Sequence, residues 1–596
     1  PVAHSFPTRR SSDLTAFRRA GVLRVKTFEE LFDCAELLAA HAGPKGSELL
    51  IVTNAGGAGV MAVDALADFG LRPAALDPAI LERLDAVLPA HWSRANPIDM
   101  LGDATVETYR QVVEICLQSP QPSGLIVMLA PQAMIDPAAA ADAVVQAAEK
   151  YRTPVLAAWL GGPRVEGGRE AFNRAGIPSF ETPERAVRAF ANLLQYRTNI
   201  EMLQEIPSRL PKRLEFDRQK ARSLVRAGLE QKSEWLTEPE SKTLLAAYGI
   251  PVNPTEVAFS DDEAAARAVR LGFPVALKIY SRRITHKSDI GGVALNLHDA
   301  AAVRDAYGRL MDRLHFDPRS TGVAGVTVQT MLAAPLFELI LGAKHHRDFG
   351  PVMLFGAGGV LAEALQDRAL ALPPLNRLLA RRMMENTRIF KMLAGYRNRP
   401  SVNLERLEEI LIRLGHLVTD FPEIGELDIN PLFAGSDSFC AVDARIRLQP
   451  FGKAAPLHLV ISPYPESYET RITTRGLERI FVRPIRPEDA PMLRQLIETL
   501  SARSLYQRFL SPLRHLPLAM LARFTQIDYD REIALVALPE SPNPEYMMGV
   551  GRVIMERNLK NAEFSVLVGD PWQGKGIGAE LLKLCLRIAK ERNIES

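Results

Sequence analysis

The sequence predicts a multidomain α/β protein: a doubly wound parallel-sheet region, then a two-lobed α+β region, then a smaller α/β region. Three observations predict it. From Ala16 to Asn199 short apolar runs alternate with helical stretches. From Leu236 to Leu448 strands and helices mix, and several strands carry lysine or carboxylate side chains. After a proline-bearing stretch over Gln449–Gly476, strands resume and lead through a glycine loop into a closing helix. At 596 residues the chain exceeds what one hydrophobic core supports.

Composition narrows the function classes. The 72 basic against 70 acidic residues leave a net charge of +2, so no bulk field favours nucleic acid or a membrane surface. No apolar run reaches the roughly 20 residues a membrane span needs, and no signal peptide is visible. Cys34, Cys116, Cys440 and Cys585 are far apart, without metal spacing, each among apolar neighbours. They read as buried small residues of a cytoplasmic protein. Pro1–Leu14 has neither strand nor helix periodicity and is set aside as a non-native segment.

In the first region the strands are Glu48–Thr53, Gly124–Leu129, Pro154–Trp159 and Ile177–Phe180. The helices are Val60–Phe69, Ala138–Tyr151, Val165–Ala175 and Pro183–Tyr196. Buried strands alternating with helices predict a parallel, flavodoxin-like sheet covered on both faces. Gly56, Gly57 and Gly59 follow the first strand and open a helix. Glycines there let the backbone approach an anion, and a helix start supplies free N–H groups. A tight strand-to-helix turn explains the same glycines, and both readings stay open. Asn96–Asp99 reads as a loop, and Glu201–Trp235 as a charged helical connector.

In the middle region Glu240–Tyr248 reads as a helix ended by Gly249. Strand Thr255–Phe259, helix Asp261–Leu271 and a strand running to Lys278 follow. Lys278 sits in an apolar run, where a lysine is rarely buried without a partner. A phosphate would serve, and so would snorkelling from a strand end. His286, in the polar loop Ile284–Val293, is a competent phosphoryl acceptor or simply a solvated histidine. His345 and His346 read as surface residues. Asn430, in Glu426–Pro431, and Asp443, in the strand Ala441–Ala444, offer hard oxygen ligands of the kind Mg2+ takes beside phosphate oxygens. ATP with Mg2+ is the ligand this set suggests.

The last region has strands Glu532–Leu538, Met548–Glu556 and Ala562–Val568. The last strand runs into Gly569–Ala579 and the helix Glu580–Arg592. The glycines and the helix start present N–H groups to a pyrophosphate.

Several separated motifs, in order, resemble one family. Lys278, ITHKSDIGGV, Phe349-Gly350-Pro351 before LFGAGG, and ELDINPL with AVDARI look like the ATP-grasp domain of NDP-forming acyl-CoA synthetases. IVTNAGGAGV and NPID look like the ligase domain that precedes it there. The resemblance implies ATP or ADP at Lys278 and near Glu338, Mg2+ at Asn430 and Asp443, and a mobile His286 loop. It also implies that Gly56, Gly57 and Gly59 face a phosphohistidine from an earlier domain. The CoA-binding and phosphohistidine domains that come first in that family are not in this sequence.

The pattern Gln573-x-x-Gly576-x-Gly578 resembles the pyrophosphate loop of GNAT acetyltransferases. That implies acyl-CoA along Val568, Gln573, Gly574, Lys575, Gly576, Gly578 and Ala579, with Glu563 as general base. The family's last strands and late tyrosine are not found before Ser596, so truncation at both ends is expected.

The whole order resembles Pat-type bacterial protein lysine acetyltransferases. The resulting domain reading is 1–14 non-native, 15–200 flavodoxin-like ligase, 201–235 connector, 236–448 ATP-grasp, 449–476 linker and 477–596 partial GNAT. The function implied is acetyl-CoA-dependent lysine N-acetylation with an ATP-grasp regulatory half; the alternative is an NDP-forming acyl-CoA synthetase. Expected partners are acyl-CoA, lysines of metabolic enzymes such as acyl-CoA synthetases, and a second copy of the chain, with no nucleic acid and no membrane.

Overall fold

A computed structural model describes residues 9–596 except 41–42, 45, 120–122, 208–213, 232, 283, 285–286, 288–289, 316–321, 360–366, 398–399, 453–454, 456, 475–478, 510–515, 542–543, 557, 559 and 596. The chain forms two compact units, Ala20–Leu203 and Pro1–Arg19 with Gln204–Ser596. Among the described residues no helix is long and apolar enough to cross a membrane. All four cysteines are free, three of them buried and Cys440 half-buried.

The Ala20–Leu203 unit is a parallel sheet of β1 (Leu49–Thr53), β2 (Ile98–Asp99), β3 (Gly124–Leu129), β4 (Val155–Trp159) and β5 (Ser179–Phe180). The spatial order is β2-β1-β3-β4-β5, which is flavodoxin-like as predicted and puts the ligand crevice beyond the carboxyl ends of β1 and β3. Every residue of β1, β3 and β4 is buried, so each reads as an unbroken apolar run. Asn96–Asp99, expected as a loop, instead holds β2, paired with β1 at Val52↔Ile98. Its pairing is extended by a side chain. Asn96 Oδ1 accepts from Ile51 N at 3.0 Å, and its Nδ2 donates to the carbonyls of Leu49 and Ala74 at 2.9 Å each. An amide that replaces ladder bonds leaves no alternation to read. Helices Pro78–Asp85 and Val106–Gln118 were also not anticipated.

In the other unit a four-stranded sheet comprises β6 (Thr255–Ala258), β7 (Val275–Ser281), β8 (Val293–Leu297) and β9 (Val323–Thr330), in the order β6-β9-β7-β8. A second sheet holds β10 (Phe337–His346), β11 (Gly350–Ala357), β12 (Arg368–Ala371), β13 (Ile424–Ala434), β14 (Phe439–Ala441) and β15 (Ala444–Leu448). Its order is β12-β11-β10-β13-β14, with β15 also on β13. Helix Leu404–Asp420 buries its apolar face in the same core. Asp443, expected on a strand, lies between β14 and β15. Asn430 N donates to the Asp443 carbonyl at 3.3 Å and Val442 N to that of Pro431 at 3.1 Å, which breaks the ladder there. His345, expected at the surface, is half-buried with its ring 4.9 Å from that of Phe451, and burial lowers its pKa. Helix Arg9–Arg19 overlaps the segment set aside as non-native. The Arg19 guanidinium donates to the carbonyls of Leu372 and Pro374 at 3.4 and 3.2 Å, so tertiary contacts hold a helix that has no periodicity of its own.

The third sheet runs β16 (Thr470–Thr473), β17 (Arg479–Pro484), β18 (Glu532–Pro539), β19 (Gly549–Met555) and β20 (Ala562–Val568), with each strand beside the next. The stretch read as a linker therefore supplies an edge strand, β16, antiparallel to β17. Helix Ile577–Glu591 packs its face of Leu581, Leu584, Cys585 and Ile588 on the sheet.

Candidate functional site

The middle of β7 brings Lys278 into a cluster of buried charges. Its Nζ lies 2.9 Å from Glu238 Oε1, 3.5 Å from the Val442 carbonyl and 4.0 Å from Asp443 Oδ1. Glu238 is the first residue of helix Glu238–Ala247, which Thr237 caps. Its side chain is 3% exposed and accepts from two more lysines, Lys242 at 3.1 Å and Lys287, and from Gln329. Lys242 Nζ also donates to Asn253, Thr255 and Gln329 at 2.7, 3.0 and 3.2 Å. Burial opposes the charge of Glu238, but Lys278, Lys287 and Lys242 overcome it and hold the carboxyl well below the usual range. Burial pulls the Lys242 ammonium down to about 8. It pulls on Lys278 too, but Asp443 and Glu238 leave that lysine above its ordinary value.

Opposite this cluster, β13 presents Asn430 and the β14–β15 break presents Asp443. Asn430 Oδ1 accepts from Gly359 N at 3.0 Å. Gly359 has φ +63°, and a side chain on it would collide with the Glu338 carboxylate, so Glu338, Gly359 and Asn430 form one contiguous group. Asp443 Oδ1 accepts from Ala444 N at 3.1 Å, and its Oδ2 is 3.9 Å from Arg445. One carboxamide oxygen and one carboxylate suit Mg2+ that takes its remaining ligands from phosphate and water. Among the described residues no group of three or more His, Cys, Asp or Glu side chains could by itself hold a metal. Behind them burial raises Asp428 to about 7, and its Oδ1 has no hydrogen-bond partner among the described residues. A cleft lined by Trp235, Ser281, Arg282, Lys287, Asp443 and Arg445 adjoins the cluster. His286 lies outside the described residues.

The sequence singles out Lys278, Asn430 and Asp443 as candidates, but not Glu238, Lys242, Lys287 and Gln329, which the structure places around Lys278. A signal was present. Glu238 and Lys242 are four residues apart on the face that also carries Leu245, and charges on a buried helical face need partners.

In the Ala20–Leu203 unit, Gly56, Gly57 and Gly59 occupy the first turn of helix Gly56–Asp68, which no side chain caps. A Cβ at Gly56 would come within 2.9 Å of Asp99 Oδ2, one at Gly59 within 3.1 Å of Pro97, and one at Gly57 would meet nothing within 4 Å. The loop after β1 is tied to that after β3 by Asn54, which exchanges two hydrogen bonds with the Ala130 backbone at 2.8 and 2.9 Å.

In the third sheet Glu563 and Phe564 are exposed on β20, the outermost strand. Gly574 and Gly576 take left-handed φ of +77° and +89°, and no side chain caps the helix that Gly576 opens. Gln573 braces the turn. Its Nε2 donates to the Val568 carbonyl at 3.1 Å and to Asp570 at 2.9 Å, while Asp570 accepts from Ser504 Oγ at 2.8 Å and Ser501 N at 2.9 Å. Gly578 and Lys575 are half-buried and Ala579 is exposed. A Cβ on Gly578 would make only ordinary contact with Val568, at 3.4 Å.

Three family models match in order: the Ligase-CoA domain over residues 49–200, the ATP-grasp domain over 227–448 and the GNAT acetyltransferase family over 501–596. An ADP-forming acetate–CoA ligase I of Archaeoglobus fulgidus is 33% identical over 433 residues, 73% of this chain and 61% of that protein. The beta subunit of the corresponding ligase of Pyrococcus furiosus is 38% identical over 230 residues, 38% of this chain and 98% of that subunit. A solved structure of a dinucleotide-forming acetyl-coenzyme A synthetase 1 of Ca. Korarchaeum cryptofilum, in complex with coenzyme A, is 35% identical, covering 38% of this chain and 100% of that one with a TM-score of 0.37. This chain spans 59 to 62% of the length of three full-length ADP-forming ligases that it matches. The chain belongs to the NDP-forming acyl-CoA synthetase family, with a GNAT acetyltransferase region joined after the ATP-grasp domain.

Proposed function

We propose that the ATP-grasp region binds ATP or ADP with Mg2+ and carries the nucleotide step of an acyl-CoA synthetase reaction, acyl-CoA + ADP + phosphate ⇌ acid + CoA + ATP. The observation that carries this reading is the excess of buried ammonium groups. Lys242, Lys278 and Lys287, with side chains 3, 11 and 14% exposed, share the carboxylate of Glu238, and Asp443 lies 4.0 Å from Lys278, so three ammoniums face two carboxylates. Buried charge without a counter-charge is costly, and a phosphate chain would supply one. Lys278 and Lys287 would hold phosphate oxygens, and Asn430 and Asp443 would hold Mg2+, which neutralises phosphate charge when bound. Calorimetric titration of the chain with ATP in Mg2+ tests this. Lys278→Ala should weaken binding at least tenfold, and a native chain that takes up no ATP rules the reading out.

A second reading is favoured by a separate observation, the two left-handed glycines in the turn that follows β20. We propose that this region binds acetyl-CoA through the backbone of Gly574–Gly578 and acetylates a protein lysine. Glu563 takes a proton from the lysine ammonium, and the amine attacks the thioester carbonyl. The carbon–sulfur bond then breaks, and CoA leaves as its thiol. Transfer of labelled acetyl to a lysine-bearing protein, such as an acyl-CoA synthetase, is the assay. Glu563→Gln should lower kcat about a hundredfold with acetyl-CoA affinity intact; unchanged turnover counts against the assignment.

A further inference from the structure

Glu238 does more than neutralise one lysine. Both of its oxygens are engaged, by groups from different elements. Oε1 takes Lys278 from β7, Lys242 from its own helix and Gln329 from β9, and Oε2 takes Lys287 from beyond the end of β7. The carboxylate is fixed in place. Its backbone is set by the capping box in which Thr237 N donates to Glu240 Oε2 at 2.8 Å, and Arg282 clamps Glu240 at 2.6 and 3.1 Å. It also sits in the first turn of a helix, where the dipole favours negative charge. An incoming anion would therefore not displace it.

The lysines around it are not equivalent. Lys242 spends its hydrogens on Asn253, Thr255, Gln329 and Glu238, and lies behind the carboxylate, 3% exposed. Lys287 lines the adjoining cleft together with Asp443 and donates to Glu238 Oε2. An ammonium has three donors, so Lys287 can serve Glu238 and a ligand at once.

We propose that Glu238 is a positioning residue that gathers the Lys278 and Lys287 ammoniums into one seat for the phosphate chain of a nucleotide, with Lys242 and Gln329 holding it from behind. The inference rests on the nucleotide reading of this site. Without the carboxylate the ammoniums repel one another and separate, although the summed positive charge is larger. The two effects have opposite signs for ATP affinity, which makes the outcome decisive.

The test is calorimetric titration of the full chain, in Mg2+, with ATP and separately with adenosine. Glu238→Gln should raise the ATP dissociation constant about tenfold and leave that of adenosine unchanged, a split that a general loss of structure would not produce. Glu238→Asp retains the buried charge and draws it back by one methylene. It should lose ATP affinity several-fold, again with adenosine unaffected, and it serves where the Gln variant fails to fold. Equal or tighter ATP binding in either variant overturns the inference alone. No ATP uptake by the native chain overturns the nucleotide reading and the inference with it.

Discussion

At Lys278 the groups that would meet a phosphate are side chains: the ammoniums of Lys278 on β7 and of Lys287, both drawn to the buried carboxylate of Glu238, which Lys242 holds from behind. At Gly574–Gly578 they are backbone amides, in a turn shaped by two left-handed glycines and a glutamine brace. The first arrangement places charge in the interior and needs interior partners to keep it there. The second carries no buried charge and depends on φ values that residues with a Cβ rarely adopt. The two should therefore fail in different ways, the first when a charge is removed and the second when a methyl group is added.

The largest expected effect separates the two regions. Arg483 and Asp489 form a buried two-point pair at 2.7 and 2.9 Å under the third sheet. Asp489→Ala removes the buried counter-charge of the guanidinium, which keeps its bond to the Pro484 carbonyl, at a cost of about 3–5 kcal/mol. Acetyl-CoA binding should be lost while ATP binding stays, and loss of both would break the comparison.

A smaller, pH-dependent effect comes from Asp428. Burial raises its carboxyl from 3.8 to about 7. Between those values the folded chain holds a proton that the unfolded chain has released, so stability falls as pH rises through that window. Asp428→Asn, neutral throughout, should resist urea better than the native chain at pH 8, by about 2–3 kcal/mol, and equally at pH 4. A gain at both pH values would mean that ionisation is not the cause. The smallest effect is expected at Gly57, where a Cβ meets nothing. Gly57→Ala should leave ATP binding unchanged and add up to about 1 kcal/mol of helix stability, readable as a urea midpoint.

Legibility followed the same division. The strands of the parallel sheet and the lysine on β7 were readable because an apolar run, or one charge inside it, is a local signal. The glycine loop after β20 was readable because glycine spacing states its geometry directly. Glu238 was not, because the sequence predicts a helix that begins at Glu240, and the partners of Glu238 on β7 and β9 are 40 and 91 residues away. Asn96, which stands in for ladder bonds, and Thr470–Thr473, an edge strand inside a proline-bearing stretch, were missed for a related reason. Each is fixed by a distant partner that leaves no periodicity behind.

The separation of the two sites is tested most directly by titrating ATP and acetyl-CoA, in parallel, against the native chain, Lys278→Ala and Gly576→Ala. Lys278→Ala should lose ATP and keep acetyl-CoA, and Gly576→Ala, at φ +89°, should lose acetyl-CoA and keep ATP. If either substitution weakens both ligands alike, or neither changes its own, the account of two independently built anion sites is contradicted.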